Sequence, residues 1–329
     1  MIIVQTPLRV SLLGGGTDIG AYYRNFMGMV VSSAIDKYVF VIVSERFDDL
    51  IYVNYSRKEI ASSVDQISHE LVREAMLKTG VTSGVEITML ADIPSEGSGL
   101  GSSSSLTVGL LNALYCFTGV QKPNVELAKE ACDIEINRCK KPIGKQDQYI
   151  AAIGGLCSIR FHASEEVVAT HMQLTNRQIM SLSSNLMLFF TGVTRKSSDI
   201  LMEQVTKTPE KLSELNQIRD LAVMAEDSLM AGDFDQLGDL MDRNWQYKKQ
   251  LSSGVTNPTL EALYAKARNA GAIGGKIAGA GGGGFLLLYC RPETQDRVRL
   301  ALAGLKEMPF MLERDGSKII FNYRRYRWK

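Results

Sequence analysis

The chain has 329 residues, 45% of them hydrophobic and 22% charged, with a net charge of +1. That length buries a large core without staples and divides into about two domains, so disorder is excluded as the main state. The near-neutral charge speaks against nucleic acid as a partner, no run approaches the roughly 18 apolar residues of a membrane helix, and MIIVQTPLRV lacks the basic and apolar regions of a signal peptide.

In chain order, Arg9 to Leu13 alternates as a half-buried strand and runs into Gly14-Gly-Gly-Thr-Asp18. Strands are predicted at Tyr38 to Ser44, Ile51 to Tyr55 and Val85 to Met89, with a helix from Ile67 to Lys78 between the last two. Next comes Asp92-Ile-Pro-Ser-Glu-Gly-Ser-Gly-Leu-Gly-Ser-Ser-Ser-Ser105, after which Leu106, Leu110, Ala113, Leu114 and Phe117 recur at helical spacing. A second helix is predicted over Val125 to Arg138, ending near Pro142. Ile150 to Gly155 leads into a strand through Phe161. The polar segment His162 to Gln178 reads as a domain boundary, giving domains 1–172 and 173–329. Beyond it the pattern predicts a strand at Leu186 to Phe190 and long helical stretches over Glu210 to Leu251 and Thr259 to Ala270. A third glycine-rich stretch follows from Gly271 to Gly284, then strands at Phe285 to Cys290 and Lys318 to Tyr323 and a basic tail. The fold class is α+β in two halves.

Side-chain chemistry is sparse outside glycine. The five cysteines (Cys116, Cys132, Cys139, Cys157, Cys290) are odd in number and form no CxxC pair, so they read as reduced thiols of a cytoplasmic protein. The three histidines (His69, His162, His171) are too scattered for a metal pair, which argues against zinc chemistry and a Ser-His-Asp triad. A glycine loop at a helix N-terminus, by contrast, offers bare amides and the helix dipole to a phosphate, and Gly97 to Ser105 has that form. It is not a Walker A loop, since no GxxxxGK[ST] occurs. Gly279-Ala-Gly-Gly-Gly-Gly284 matches GxGxxG, yet it precedes a strand and so lacks the dinucleotide-binding context.

Together these motifs resemble the GHMP small-molecule kinases, which include galactokinase and the homoserine, mevalonate and phosphomevalonate kinases. Pro7-Leu-Arg9-Val-Ser-Leu-Leu-Gly-Gly-Gly-Thr-Asp18 resembles their first motif. Gly97-Ser-Gly-Leu-Gly-Ser-Ser-Ser104 resembles the phosphate-binding second, and Lys276-Ile-Ala-Gly-Ala-Gly-Gly-Gly-Gly284 the third. Within the family, Gly14 to Asp18 followed by Tyr22-Tyr23-Arg24, and Gly144-Lys-Gln-Asp147-Gln-Tyr-Ile-Ala-Ala-Ile-Gly-Gly155, are most similar to the D-glycero-D-manno-heptose 7-phosphate kinases. The resemblance implies an N-terminal half like ribosomal S5 domain 2 and a ferredoxin-like C-terminal half. It also implies ATP, magnesium and phosphoryl transfer to a hydroxyl in the cleft between the halves.

By the same resemblance, Asp147 would orient the attacking hydroxyl and take its proton, as a base or an electrostatic aid, and Arg9 would lower the pKa of that hydroxyl or neutralise charge near the transferred phosphate. Gly97, Ser98, Gly99, Leu100, Gly101, Ser102, Ser103, Ser104 and Gly281 would hold the ATP phosphates. Ser103 and Glu135 would hold magnesium, with Ser102 or Ser104 as alternatives to Ser103. Asp18 and Gly144 would meet the sugar. Gly15 and Gly16 stand where galactokinases carry Glu-His, leaving room for a bulkier sugar or meeting a conformational need of the turn. A sugar phosphate would need cations, for which Arg24, Arg195 and Lys196 are candidates. Lys276 is read equally as a surface lysine or a phosphate contact. A homodimer is compatible with the sequence. The rival readings are a kinase for another sugar, such as a fucose- or galactose-like one, and an inactive sugar- and ATP-binding regulator.

Overall fold

The structure is a computed structural model that describes residues 1–93, 97–193 and 197–323. It opens with two long antiparallel strands, β1 (Ile2–Leu13) and β2 (Gly28–Glu45), paired from Ile2–Val43 to Leu13–Val31. The sequence exposes only the far ends of both. Pro7 interrupts the alternation of β1 at a register shift, and the first eight residues of β2 are buried on both faces, which erases the period of two. Around this pair an eight-stranded sheet forms. Its main path adds β3 (Ile51–Asn54), β4 (Lys58–Ala61) and β5 (Val85–Ala91), while β6 (Leu156–Phe161) and β7 (Val167–His171) extend from the first half of β2. Its outer strand beside β1 is β12 (Lys318–Asn322), so the C-terminal strand crosses back into the sheet built by the first half.

One face of this sheet is covered by α2 (Glu70–Thr79), α3 (Ser102–Thr118), α4 (Asn124–Cys132) and α5 (Gln146–Ile153). They share a core with Val4, Val41, Val43 and Ile87. A second core, around Leu8, Val10, Leu12 and Val31, takes apolar side chains from α8 (Leu212–Ala231) and α9 (Phe234–Lys248). β1 thus contributes to both cores, and Arg9 falls between Leu8 and Val10 of the second. The second sheet is antiparallel in the order β11 (Lys306–Glu307), β8 (Leu186–Phe190), β10 (Phe285–Tyr289), β9 (Gly274–Ile277). β10 is apolar throughout because both of its faces are covered. Leu287 and Tyr289 enter the second core, and Leu286 and Leu288 enter a third with α10 (Pro258–Ala270) and α11 (Pro292–Ala301).

The helical stretch expected over 210–251 is two helices. Gly232 takes the left-handed conformation at φ 74°, and the Asp233 carboxylate accepts from Gln236 N at 3.1 Å, so one helix ends and the next is capped within two residues. Inside the polar segment read as a boundary, a Thr175–Gln178 capping box starts α6 (Asn176–Ser184). The remaining helices are α1 (Gly20–Tyr23) and α7 (Ser197–Lys207). Among the described residues no helix is long and apolar enough to cross a membrane.

Candidate active site

Between the two halves lies a cavity of about 820 Å³. β1 reaches it with Arg9 and Ser11, the following turn with Gly15, Gly16 and Asp18, and the glycine-serine stretch with Gly97 to Ser104 except Leu100. Glu135, the loop from Cys139 to Gly144, Gln146, Asp147, Lys248 and the third glycine stretch form most of the remaining wall, with Ile19, Glu70 and the start of α7 at Ser197, Ser198 and Leu201.

At one end, Gly97, Gly99 and Gly101 all have φ between 72° and 78°, a coil open to glycine alone at low cost. The loop packs directly on the third glycine stretch. A Cβ on Gly99 would lie 2.5 Å from the Ala278 carbonyl oxygen, and one on Gly284 2.5 Å from that of Gly97. Two backbones in contact leave no room for side chains, which is why both segments are glycine-rich. α3 begins immediately afterwards with Ser102 to Ser105 and no acidic residue in its first turn. Its free amides, hydroxyls and dipole all suit an anion. Gly281 also lines the cavity. Leu100 differs from the expectation. Its side chain is buried in the second core, and its carbonyl accepts from Arg9 N at 3.0 Å, so it anchors the loop to β1.

In the middle, the Arg9 guanidinium grips Asp147 through two parallel hydrogen bonds of 2.7 Å and donates a third, of 2.6 Å, to the Gly99 carbonyl. A fork-to-carboxylate pair fixes both side chains in one plane and ties them to the glycine loop. Asp147 stands in the first turn of α5 and remains 24% exposed towards the cavity. Glu135 lies on a π-helical turn, Asp133–Arg138, that widens the end of α4. Its carboxylate is fully buried and accepts from Ser103 Oγ, from Ser104 Oγ at 2.7 Å and from Gln148 Nε2 at 2.7 Å. The Lys141 ammonium lies 3.1 Å from Ser103 Oγ and 3.6 Å from Glu135 Oε1, a positive charge standing against this oxygen set. One carboxylate and one hydroxyl suit a hard cation that keeps several waters and leans on phosphate oxygens. Among the described residues no group of three or more His, Cys, Asp or Glu gathers as a self-sufficient metal site.

At the other end, Asp18 is almost fully buried. It accepts from Gly16 N at 3.0 Å and from the Gln146 side-chain amide at 3.1 Å. A Cβ on Gly144 would lie 1.9 Å from Asp18 Oδ2, so residue 144 has to be glycine for the two loops to meet. Gly15 and Gly16 part company. Gly16, at φ +111°, serves the turn, whereas Gly15 has no such constraint and faces Ser11, Gln146 and Lys276. Arg24 is not in the cavity wall. Its side chain is 61% exposed and pairs with Glu165 at 2.6 Å, which also binds Lys145 and Tyr23, so the guanidinium is already spent on an outer ion pair. Arg195 and Lys196 lie outside the described residues.

Two buried lysines complete this end. Lys248 Nζ donates to the Gly15 carbonyl at 3.0 Å and to Gln204 at 3.1 Å, and burial pulls its ammonium down to about 8. Lys276 is 1% exposed and therefore no surface lysine. Burial, with Lys248 and Arg9 nearby, pulls it down to about 7. Lys248 escaped the sequence reading although it lies in helical phase with the buried Leu237, Met241 and Trp245 of α9, and a lysine on an apolar stripe is the available signal. Ser11, Gln146, Gln148, Lys140 and Lys141 carried none.

The family model described as GHMP kinases N terminal domain matches residues 63–155, and that described as GHMP kinases C terminal matches residues 225–306. A D-glycero-alpha-D-manno-heptose 7-phosphate kinase of Campylobacter jejuni is 31% identical over 92% of this chain and 93% of its own. The L-fucokinase/L-fucose-1-P guanylyltransferase of Bacteroides fragilis is 26% identical over 91% of this chain, which spans 35% of that protein. A crystal structure of a D-glycero-D-manno-heptose 1-phosphate kinase from Bacteroides thetaiotaomicron matches in fold, with a TM-score of 0.83 at 24% identity, covering 98% of this chain and 100% of that one. Glycine loop, arginine-clasped aspartate and family matches agree, and the chain belongs to the GHMP kinases, ATP-dependent phosphotransferases acting on small molecules.

Proposed function

We propose that this sugar kinase transfers the γ-phosphoryl group of ATP to the anomeric hydroxyl of D-glycero-D-manno-heptose 7-phosphate, giving the 1,7-bisphosphate for nucleotide-activated heptose and surface glycans. The observation that carries the reading is the Arg9–Asp147 clasp, set in one cavity between the phosphate-suited loop and the Asp18 pocket. The identity to the Campylobacter jejuni kinase supports the choice of sugar.

In this mechanism Gly97 to Ser104, Leu100 apart, and Gly281 hold the ATP phosphates on backbone amides and hydroxyls. Magnesium held by Ser103 and Glu135 would neutralise phosphate charge when bound. Asp18 binds sugar hydroxyls and fixes the anomeric oxygen near Asp147. Asp147 still has lone pairs outside the Arg9 fork, and with one of them it accepts the hydrogen bond of the attacking hydroxyl. As the new O–P bond forms and the bond to ADP breaks, the hydroxyl proton passes to the carboxylate, while Arg9 offsets charge beside the loop. Positioning and charge, with no covalent intermediate, are what this reaction class asks of a protein. For the sugar's own phosphate, Lys140 suits the role. It lines the cavity, holds the uncommon φ of 55° and has no ion pair among the described residues.

An ADP-release assay over D-glycero-D-manno-heptose 7-phosphate, the unphosphorylated heptose, L-fucose and D-galactose tests the reading. The heptose 7-phosphate is expected to lead in kcat/KM by roughly tenfold or more, the scale of one charged contact. Turnover of L-fucose or D-galactose with none of the heptose phosphate would move the enzyme to another sugar.

A further inference from the structure

Three polar groups in or just behind the wall at the Asp18 end of the cavity lack partners among the described residues. Ser11 Oγ and Gln146 Oε1 are buried without a hydrogen bond, although both residues line the cavity and are themselves 4% and 7% exposed. Lys276 Nζ, on β9, makes no hydrogen bond or ion pair among the described residues. The three residues come from β1, α5 and β9, far apart in sequence, and Ser11 Oγ, the Gln146 side-chain amide and Lys276 Nζ lie around Gly15. A Cβ on Gly15 would lie 3.3 Å from Ser11 Oγ, 3.6 Å from Gln146 Nε2 and 3.9 Å from Lys276 Nζ. The missing side chain at position 15 is what keeps this space open.

The orientation of Gln146 is set by its neighbour. Its Nε2 donates to Asp18 Oδ2, and a carboxylate can only accept, so the amide oxygen faces away from Asp18. Buried polar groups in folded proteins are nearly always paired, and those left unpaired together in a cavity wall mark where a ligand completes them.

We propose that Ser11, Gln146 and Lys276 form a subsite for one hydroxyl of the acceptor sugar, separate from the hydroxyls taken by Asp18. The donor inventory selects the chemistry. Lys276 only donates, Gln146 Oε1 only accepts, and Ser11 Oγ does either. A hydroxyl donates its one proton to the amide oxygen and accepts from the ammonium and from the serine hydroxyl. A phosphate dianion has no proton for Gln146 Oε1, and an apolar group satisfies none of the three. The charged groups around Lys276 are Lys248, Arg9, Asp18 and Asp147. An oxygen placed against the ammonium replaces hydration lost on burial. The proposal rests on the kinase reading but not on the identity of the sugar.

The test uses the full-length enzyme, with D-glycero-D-manno-heptose 7-phosphate, L-fucose and D-galactose as acceptors, and the variants Ser11→Ala, Lys276→Met and Gly15→Ala. For whichever sugar turns over, Ser11→Ala should raise the acceptor KM about 3- to 10-fold and Lys276→Met about 10- to 100-fold, the range from a neutral to a charged hydrogen bond. Gly15→Ala fills the space with a methyl group and should raise it as well. The KM for ATP should stay within about twofold in all three. One monodeoxy analogue of that sugar should lose binding to the parent enzyme and lose nothing further in Ser11→Ala, because the two deletions remove the same contact. An unchanged acceptor KM in both Ser11→Ala and Lys276→Met, or an equal rise for ATP, overturns the subsite. Turnover of L-fucose or D-galactose alone overturns the heptose reading instead, and the subsite is then judged on that sugar's KM.

Discussion

The two ends of the cavity are made of different material. At the glycine-loop end the wall is main chain: Gly97, Gly99 and Gly101 in left-handed conformations, packed on the third glycine stretch and followed by the amides and hydroxyls opening α3. At the Asp18 end the wall is buried side chain: Asp18, Gln146 and Lys248, with Lys276 close behind. A main-chain wall can hold any polyphosphate, because every residue supplies the same amide. A side-chain wall is particular, because each donor and acceptor has one place. Under the proposed function, the difference puts generic binding at one end and selection at the other, with Arg9 and Asp147 on the seam.

The hardest test of that division is at the seam. Asp147→Asn should lower kcat about 10³-fold, far more than it changes the KM for ATP, and should lower the melting temperature as well, because it leaves the buried Arg9 guanidinium without its carboxylate. Stopped assays with purified protein check it, and activity within about threefold of the parent would take the carboxylate out of the chemistry. Next in size is a matched pair of alanines. Gly144→Ala drives a methyl group into Asp18 Oδ2 and should cut kcat/KM for the sugar about 100-fold with the KM for ATP held. Gly99→Ala, at φ +73° and against the Ala278 carbonyl, should raise the KM for ATP and lower stability by about 1–3 kcal/mol. If both variants changed both KM values alike, the two ends would not be separable.

Glu135→Gln should shift the magnesium needed for half-maximal activity upward by about fivefold, with much of the loss restored at saturation. A titration superimposable on the parent's would remove Glu135 from the metal. The smallest effect concerns pH. Lys276 and Lys248 are held at about 7 and about 8, below their ordinary 10.5. Between those values and 10.5 the unfolded chain binds more protons than the folded one, so their contribution to stability rises with pH from about 7 and levels off near 10.5. Lys276→Met removes one share of the low-pH penalty. Its melting temperature should exceed the parent's by more at pH 6 than at pH 9, and a gap independent of pH would show that Lys276 is not buried as a titrating amine.

The division also explains what could be read from the sequence. The glycine-loop end is contiguous, so its residues announce themselves as runs, and the α3 helix after Ser102 is where the spacing of Leu106, Leu110 and Leu114 puts it. The Asp18 end gathers residues 11, 15, 18, 144, 146, 248 and 276 through the pairing of distant strands and helices. Nothing near Ser11 or Gln146 in the sequence distinguishes a pocket hydroxyl or amide from a surface one. Arg24 looked like a phosphate ligand because it follows the first motif, yet Glu165, 141 residues away, takes its charge. Leu100 was read with its loop, but its side chain faces the second core, a fact set by how that loop lies on Arg9. Likewise β2 was half seen, since a strand buried on both faces has no alternation to show.

The strand that carries Arg9 is flanked on its outer side by β12, and the Met1 amino group reaches the Tyr323 carbonyl at 2.9 Å across 322 residues of sequence. During synthesis, β1 leaves the ribosome long before its outer neighbour. Throughout elongation the nascent sheet therefore presents an unpaired edge at the strand bearing Arg9. The first half can gather its helices and its other strands early, but its outer edge at β1 is paired only by residues that follow the second sheet in the chain. The outer edge of β1 from Ile2 to Gln5 is therefore covered only once β12 has been made.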